Sequence, residues 1–371
     1  VKVKVKVKVK VKVKVKVKVK NMQEVLFLND VKGAVSRLLE GAGYNRTFVL
    51  CDDNTAREVL PLVQCEALDG AHVITIAAGD AHKTLDSLAH VWSELGAHGA
   101  TRRSLLINLG GGVVTDLGGM AASTFKRGID FINIPTTLLS AVDAAVGGKT
   151  GINFNGLKNE IGVFSEAKAV IISTCFLATL PQGEIKSGFA EMLKHGMLES
   201  EDEFMRLLDY DLTAADHDQM LALVRTSVQV KQRIVEQDPH EKGLRRALNL
   251  GHTVGHAFES FALHRGEPIA HGYAVAWGLV AETVLSHLKR GFPSEHLHRL
   301  ARHVRDNYGA FHITCDDYKA LLNYMHHDKK SVSGEINCSL LRSCGAVETG
   351  ITVTDDDMRA ALDIYRDLMG I

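Results

Sequence analysis

Leu-Leu-Ile-Asn-Leu-Gly-Gly-Gly-Val-Val-Thr-Asp, residues 105–116, decides the fold. An apolar run of strand length ends in three glycines. The pattern that follows is helical and rich in small residues, among them Gly118, Gly119, Ala121 and Ala122. A strand, a glycine turn and a helix start make the first half of a parallel βα unit. Gly110-Gly111-Gly112 would present bare backbone N–H groups at the positive end of a helix dipole, which suits an anion. The spacing is not Gly-x-Gly-x-x-Gly, so the standard dinucleotide fingerprint is absent. Taken alone, such a turn is more often only a tight turn.

The neighbours extend the pattern. Upstream, Asn29 or Asp30 can cap a helix carrying Val31, Val35, Leu38 and Leu39, which Gly41 and Gly43 end. Arg46–Cys51 reads as a strand with Asp52, Asp53 and Asn54 at its C-terminal end, where Asp52 could accept hydrogen bonds from a ribose or adenine. Val73–Ile76 is another strand, followed by a polar turn with Asp80 and Lys83. Downstream, Ile129–Ile134 is a strand stopped by Pro135. Strands and helices in alternation predict a parallel sheet covered on both faces. The segments around Thr136–Asp143, Val146–Gly151 and Leu157–Asn159 read as glycine-rich loops, the places where sites concentrate.

From about Ile172 to about Met325 the periodicity is helical. The expected organisation is therefore an N-terminal α/β domain over 21–172 and a mostly α-helical domain over 173–371. Residues 1–20 are a strict Val-Lys repeat, read as a tag or placeholder and set aside. The chain of 371 residues has 43 Lys+Arg and 44 Asp+Glu, but ten of the lysines lie in that repeat. The remainder carries 33 basic against 44 acidic residues, a formal charge of −11. An acidic body argues against general nucleic-acid binding. The six cysteines form no Cys-x-x-Cys pair, which fits a reduced, cytoplasmic setting. No apolar run reaches the length of about 20 residues that a membrane span needs.

Three helical stretches carry candidate chemistry. In 188–199, Phe189, Met192, Leu193 and Met197 form an apolar side. Glu191, Lys194 and His195 fall opposite, where a solvated charged face is the expected reading. In 220–235, Lys231 falls at the centre of an apolar stripe of Met220, Leu223, Val224, Val228, Ile234 and Val235. It either snorkels or faces an anion. Asn249, His252 and His256 are spaced as one helical stripe, which Arg245 would extend. Two imidazoles at that spacing, with His271 nearby, can share one divalent metal. Ordinary helix histidines are the competing reading. Thr354 before Asp355–Asp357 caps a last helix with Met358, Ala361, Leu362, Tyr365 and Leu368 as its stripe.

Together these motifs resemble the 3-dehydroquinate synthase family over roughly residues 24–370. The matching runs are Gly-Gly-Gly-Val-Val-Thr-Asp at 110–116, Arg-Gly-Ile at 127–129, Pro-Thr-Thr-Leu-Leu at 135–139, Val-Gly-Gly-Lys-Thr-Gly at 146–151, Gly-Phe-Ala-Glu-Met-Leu-Lys at 188–194, Asn-Leu-Gly-His-Thr-Val-Gly-His at 249–256 and Asp-Lys-Lys at 328–330. Thr115, where the family often has Gly, and the segments Asn153–Gly156 and Val163–Lys168 depart from the pattern.

The resemblance implies a Rossmann-like domain plus a helical domain, with the active site between them and a homodimer as the assembly. It implies conversion of 3-deoxy-D-arabino-heptulosonate 7-phosphate to 3-dehydroquinate and phosphate with NAD⁺ used and regenerated, and zinc or cobalt held by Glu191, His252 and His271. In that scheme hydride leaves C5, phosphate is eliminated, hydride returns, and the opened ring closes by an aldol step. It implies substrate contacts from Asp143, Lys149, Asn159, Lys194, Lys231, Arg245, Asn249 and His256. One of Lys329 and Lys330 joins them, with Lys158 and, from a partner subunit, Arg127 adding cationic contacts. It also implies nucleotide contacts from Asp52, Asn54, Asp80, Lys83, Gly111, Gly112, Val113, Asp116, Thr136, Thr137, Leu139, Asp143, Lys158, Phe176, Thr179, Leu180 and Glu184. The alternatives are a related cyclase making a valiolone or an inosose, a metal-dependent polyol dehydrogenase of the glycerol dehydrogenase type, and a non-catalytic module that keeps the fold.

Overall fold

A computed structural model of the chain describes residues 23–213, 216–327 and 335–371. The Val-Lys repeat, Lys329 and Lys330 lie outside the described residues. The strands are β1 (Glu24–Phe27), β2 (Thr47–Asp52), β3 (His72–Ile76), β4 (Leu105–Gly110), β5 (Asp130–Pro135), β6 (Lys149–Phe154), β7 (Leu157–Phe164), β8 (Ala169–Ile172), β9 (Ile336–Ser343) and β10 (Ala346–Val353). The helices are α1 (Val31–Leu39), α2 (Asp53–Glu58), α3 (Leu60–Val63), α4 (Leu85–Ala97), α5 (Gly112–Thr124), α6 (Gln182–Glu199), α7 (Glu201–Leu208), α8 (His217–Gln237), α9 (His252–His264), α10 (His271–Arg290), α11 (Ser294–Tyr308), α12 (Tyr318–His326) and α13 (Asp355–Met369).

Among the described residues six strands form one parallel sheet in the order β1-β8-β5-β4-β2-β3. Alternate residues of each strand serve two cores. Phe48, Leu50 and Ile74 face α4 and α5, while Val49, Cys51 and Ile107 face α1 and α3. From β2 the chain steps outward to β3, and from β4 it steps the other way to β5. The reversal opens a crevice at the C-terminal ends of β2 and β4, the usual ligand position in an open α/β sheet. Asp52 and the turn Gly110–Gly112 occupy those two ends.

Several details differ from the sequence reading. The glycine-rich segment after β5 is not all loop: β6 and β7 pair as an antiparallel hairpin. β1, β8 and β10 had no recognised signal. The stripe through Arg245, Asn249, His252 and His256 is not one helix. Gly251 adopts φ 79°, and α9 begins only at His252, with Arg245 and Asn249 on the preceding 3-10 turn. The largest difference is α6, whose residues from Ser187 to Leu198 are all buried. Glu191, Lys194 and His195 are therefore interior groups and not a solvated face. α10 covers them by close backbone approach, since a Cβ on Gly272 would lie 1.9 Å from the Ser187 carbonyl oxygen.

Candidate active site

Three elements converge beside the crevice: α6 brings Glu191, α9 brings His252, and α10 brings His271 from its first residue. Glu191 Oε1 lies 3.3 Å from His252 Nε2 and 3.3 Å from His271 Nε2. The outward nitrogens are engaged. His252 Nδ1 is 3.1 Å from the Leu250 carbonyl oxygen, and His271 Nδ1 is 3.2 Å from Glu259 Oε2. Both partners accept only, so in the neutral rings each Nδ1 carries the proton and each Nε2 turns a lone pair inward. A carboxylate oxygen and two lone pairs then meet with no proton between them, an arrangement that calls for a cation. The spacing fits. Two ligands about 2.1 Å from a tetrahedral zinc ion lie about 3.4 Å apart.

Charge agrees with geometry. Burial opposes ionisation of Glu191, but Lys194, in direct contact with it, and His252 hold its carboxyl well below the usual range. Burial disfavours a charged His271, yet its contacts with Glu191 and Glu259 raise its pKa to about 10, so a proton on Nε2 holds the place between it and Glu191 that a metal ion would take from it. The field here is that of a cation site.

A second group of mixed donors, His72, Glu94 and His98, does not meet the same test. Its two rings stack at 3.5 Å and 20°, so their lone pairs lie in two nearly parallel planes and do not converge on one ion. The His252 and His271 rings are inclined at 64°.

Next to the three donors lies a buried polar row. Oxygens of Asp143 and Glu191 and a ring nitrogen of His195 fall within 4.8 Å of one another. Lys231 donates to the Asp143 carbonyl at 2.5 Å and to its carboxylate at 2.6 Å. Burial works against both charges, but the ammonium holds the Asp143 carboxyl below its ordinary value. Lys231 is thus buried and paired with Asp143 and does not snorkel. His195 is pushed down to about 3, first by burial and then by Lys194, which makes it a neutral ring hydrogen-bonded to Ser227 Oγ at 2.7 Å. Arg245 donates to the carbonyls of Pro239 and Gly147 at 2.7 and 3.1 Å. Lys149 contacts Glu241, which accepts from Asn249 Nδ2 at 2.9 Å. The His256 ring lies 5.3 Å from that of His252.

At the crevice, Asp52 caps α2 through Thr55, and Asn54 accepts from Arg57 at 3.3 Å. Gly111 is the N-cap of α5, and a Cβ there would meet the Thr137 methyl at 3.0 Å. Thr136 N–H bonds the Gly110 carbonyl. Val113 lies in the first turn of α5, and Leu139 opens the turn that carries Asp143. Lys83 is buried and donates at 2.5 Å to both Asp116 and Asn159, joining α5 to the hairpin. Lys158 reaches Glu259 at 3.2 Å and Asp80 at 3.8 Å. Thr115 is buried against Ser140.

Other candidates stand apart. Phe176 lies in the core on the α1 side of the sheet, with Thr179 bonded to its carbonyl. Leu180 and Glu184 lie at the start of α6, two turns before Glu191. Arg127 is exposed at the far end of α5, a helix of 13 residues and hence about 20 Å from the glycine turn.

The sequence reading passed over three carboxylates. Glu241 and Glu259 pair with site residues as above. Glu282 is fully buried and accepts from Gly251 N at 2.7 Å and Val254 N at 3.0 Å, capping the helix that begins with His252. The available signal was its position on α10, three turns from His271.

The chain matches the family profiles described as 3-dehydroquinate synthase N-terminal over residues 73–187 and 3-dehydroquinate synthase C-terminal over residues 188–331. It is 47% identical to a 3-dehydroquinate synthase of Parabacteroides distasonis over 350 residues, 94% of this chain and 99% of that one.

The chain belongs to the 3-dehydroquinate synthase family.

Solved structures agree on the fold. A 2-deoxy-scyllo-inosose synthase complexed with carbaglucose-6-phosphate, NAD⁺ and Co²⁺ superposes with a TM-score of 0.78 at 22% identity, covering 91% of this chain and 95% of that one. A 2-epi-5-epi-valiolone synthase from Streptomyces hygroscopicus, with NAD⁺ and Zn²⁺ bound, gives 0.75 at 24% identity, covering 99% of each chain. At such identity these neighbours speak for the architecture only. The choice of dehydroquinate chemistry over inosose or valiolone chemistry rests on the 3-dehydroquinate synthase relatives.

Proposed function

We propose that this chain converts 3-deoxy-D-arabino-heptulosonate 7-phosphate to 3-dehydroquinate and phosphate at the site built from α6, α8, α9, α10 and the crevice of the sheet. The observation that carries the reading is the meeting of Glu191, His252 and His271 within 4.8 Å, beside the buried cations Lys194 and Lys231. Glu191, His252 and His271 would hold Zn²⁺ or Co²⁺, and the β2/β4 crevice with Asp52 and Gly110–Gly112 would hold NAD⁺. When bound, the ion lowers the pKa of a substrate hydroxyl and the nicotinamide exchanges hydride with the carbon that bears it.

The chain's own residues then do positioning work. Lys149, Lys194, Lys231 and Arg245 offer positive charge to the phosphate and carboxylate of the substrate. Asp143, Asn249 and His256 offer acceptors and donors to its hydroxyls. Lys194, Lys231 and Arg245 are buried, and Lys231 is bonded to Asp143, so these groups are set before the substrate arrives and little reorganisation remains for the reaction. Asn159, on β7, is bonded to Lys83, which links it to Asp116 on α5.

We further infer a homodimer. β7 is exposed along its whole length, with Leu157 51% and Phe164 57% exposed and Phe154, Ile161 and Val163 beside them. An apolar strand of this kind is an association surface. Arg127 lies at the end of α5 away from the glycine turn and is exposed, which supports a role across such an interface. We also infer the seam between the domains at residues 172/173, which is supported by the change there from the last strand of the sheet to helices. No helix among the described residues is long and apolar enough to cross a membrane, and the six free cysteines support the cytoplasmic placement.

The test is phosphate release. Protein incubated with the heptulosonate phosphate, NAD⁺ and Zn²⁺ should liberate phosphate with no lasting rise in NADH, and a chelator should stop it. A lasting rise in NADH from glycerol, with no phosphate released, would replace this reading with a polyol dehydrogenase.

A further inference from the structure

We propose that Glu259 is the positioning residue of the metal centre: it takes the Nδ1–H of His271 and so holds that ring with Nε2 turned to Glu191. The inference rests on the metal-site reading above.

Glu259 sits on α9 two turns beyond His252, so one rigid helix supplies a metal donor and the group that orients another donor. α9 and α10 are fixed closely against each other, because a Cβ on Gly278 would lie 2.0 Å from the Gly251 carbonyl oxygen. The backbones that carry Glu259 and His271 are therefore held in register. Its side chain is only 11% exposed, and a carboxylate so covered needs charged or donating partners. It has two in opposite directions: His271 Nδ1 at 3.2 Å from Oε2, and Lys158 Nζ at 3.2 Å from Oε1. The ammonium balances the carboxylate charge and leaves Oε2 free to select the tautomer of His271. Carboxylate partners of ligating imidazoles act in this way, making the ligand more basic as well as aligned. For His252 the same task falls to the Leu250 carbonyl.

The measurement is Co²⁺ affinity of the metal-stripped full-length protein, by competition with a chromophoric chelator, along with the visible d–d bands of the bound ion. His271→Ala should abolish tight binding. Glu259→Gln should weaken Co²⁺ binding by about 10–100-fold and change the bands, while the thermal unfolding of the metal-free protein stays close to that of the parent. Glu259→Asp should recover part of the affinity. Wild-type affinity and bands in Glu259→Gln, with binding still lost in His271→Ala, would overturn the inference and leave the metal site standing. An affinity that His271→Ala does not change would remove the metal-site reading and this inference together.

Discussion

Lys231 Nζ lies 2.6 Å from Asp143 Oδ1 and 2.5 Å from the Asp143 carbonyl oxygen, so one ammonium joins α8 to the turn at the end of the crevice. Its position in the middle of an apolar stripe is explained by that pair. Lys231→Met would leave the Asp143 carboxylate partly buried and uncompensated. A fully buried pair broken in this way loses about 3–5 kcal/mol. About a third of the Asp143 side chain is exposed, so the expected loss is smaller, about 1–3 kcal/mol. Urea denaturation measures it. Activity should fall far more than stability, since the cation proposed to face the substrate is gone.

Metal removal separates the donors from their neighbours. Glu191→Gln, His252→Ala and His271→Ala should each abolish activity, and added Zn²⁺ should not restore it. His72→Ala and His98→Ala should leave metal content and turnover as they are, because their stacked rings present no convergent lone pairs. Elemental analysis of the purified variants checks both halves.

Acid stability should report the cap of α13. The Lys289 hydrogen bond first, then the Thr354 backbone N–H, hold Asp357 down to about 2. The unfolded value is about 3.9. A depressed carboxyl stabilises the fold above its unfolded pKa, and that contribution is lost as pH falls through the folded one. Asp357→Asn should therefore cost about 1 kcal/mol at neutral pH, with the gap to the parent closing between about pH 4 and pH 2. A gap that stays constant over that window would count against the capping account.

The reach of the sequence reading follows from what each residue must satisfy locally. β4, the glycine turn and α5 were legible, because strand, turn and helix start are written in consecutive residues. The burial of Glu191, Lys194 and His195 was not legible in periodicity. Polar residues opposite an apolar stripe normally meet water, and it is the packing of α8 and the close approach of α10 at Gly272 that put them inside. The resemblance singled out Glu191 where amphipathicity pointed the other way. Glu259 and Glu282 stayed hidden for the same reason: a carboxylate on a helix looks solvated until its partner, 12 or 28–31 residues away, is known. The break at Gly251 was missed because a 3-10 turn and an α-helix share nearly the same spacing over one turn.

The exposed hairpin carries the assembly prediction. Phe164→Glu with Leu157→Lys should shift the protein from dimer to monomer in analytical ultracentrifugation. If Arg127 acts across the interface, the monomer should turn over poorly with its metal still bound. A mixture of Arg127→Ala and Lys231→Met proteins should regain part of the activity by forming hybrid sites. Full activity in a monomer would exclude the shared site.

The most direct test of the central claim is anomalous scattering from crystals of the cobalt-loaded protein. The account predicts one strong cobalt peak about 2.0–2.2 Å from a Glu191 oxygen, His252 Nε2 and His271 Nε2. A cobalt peak held by other residues, with these three side chains apart from it, would contradict the account.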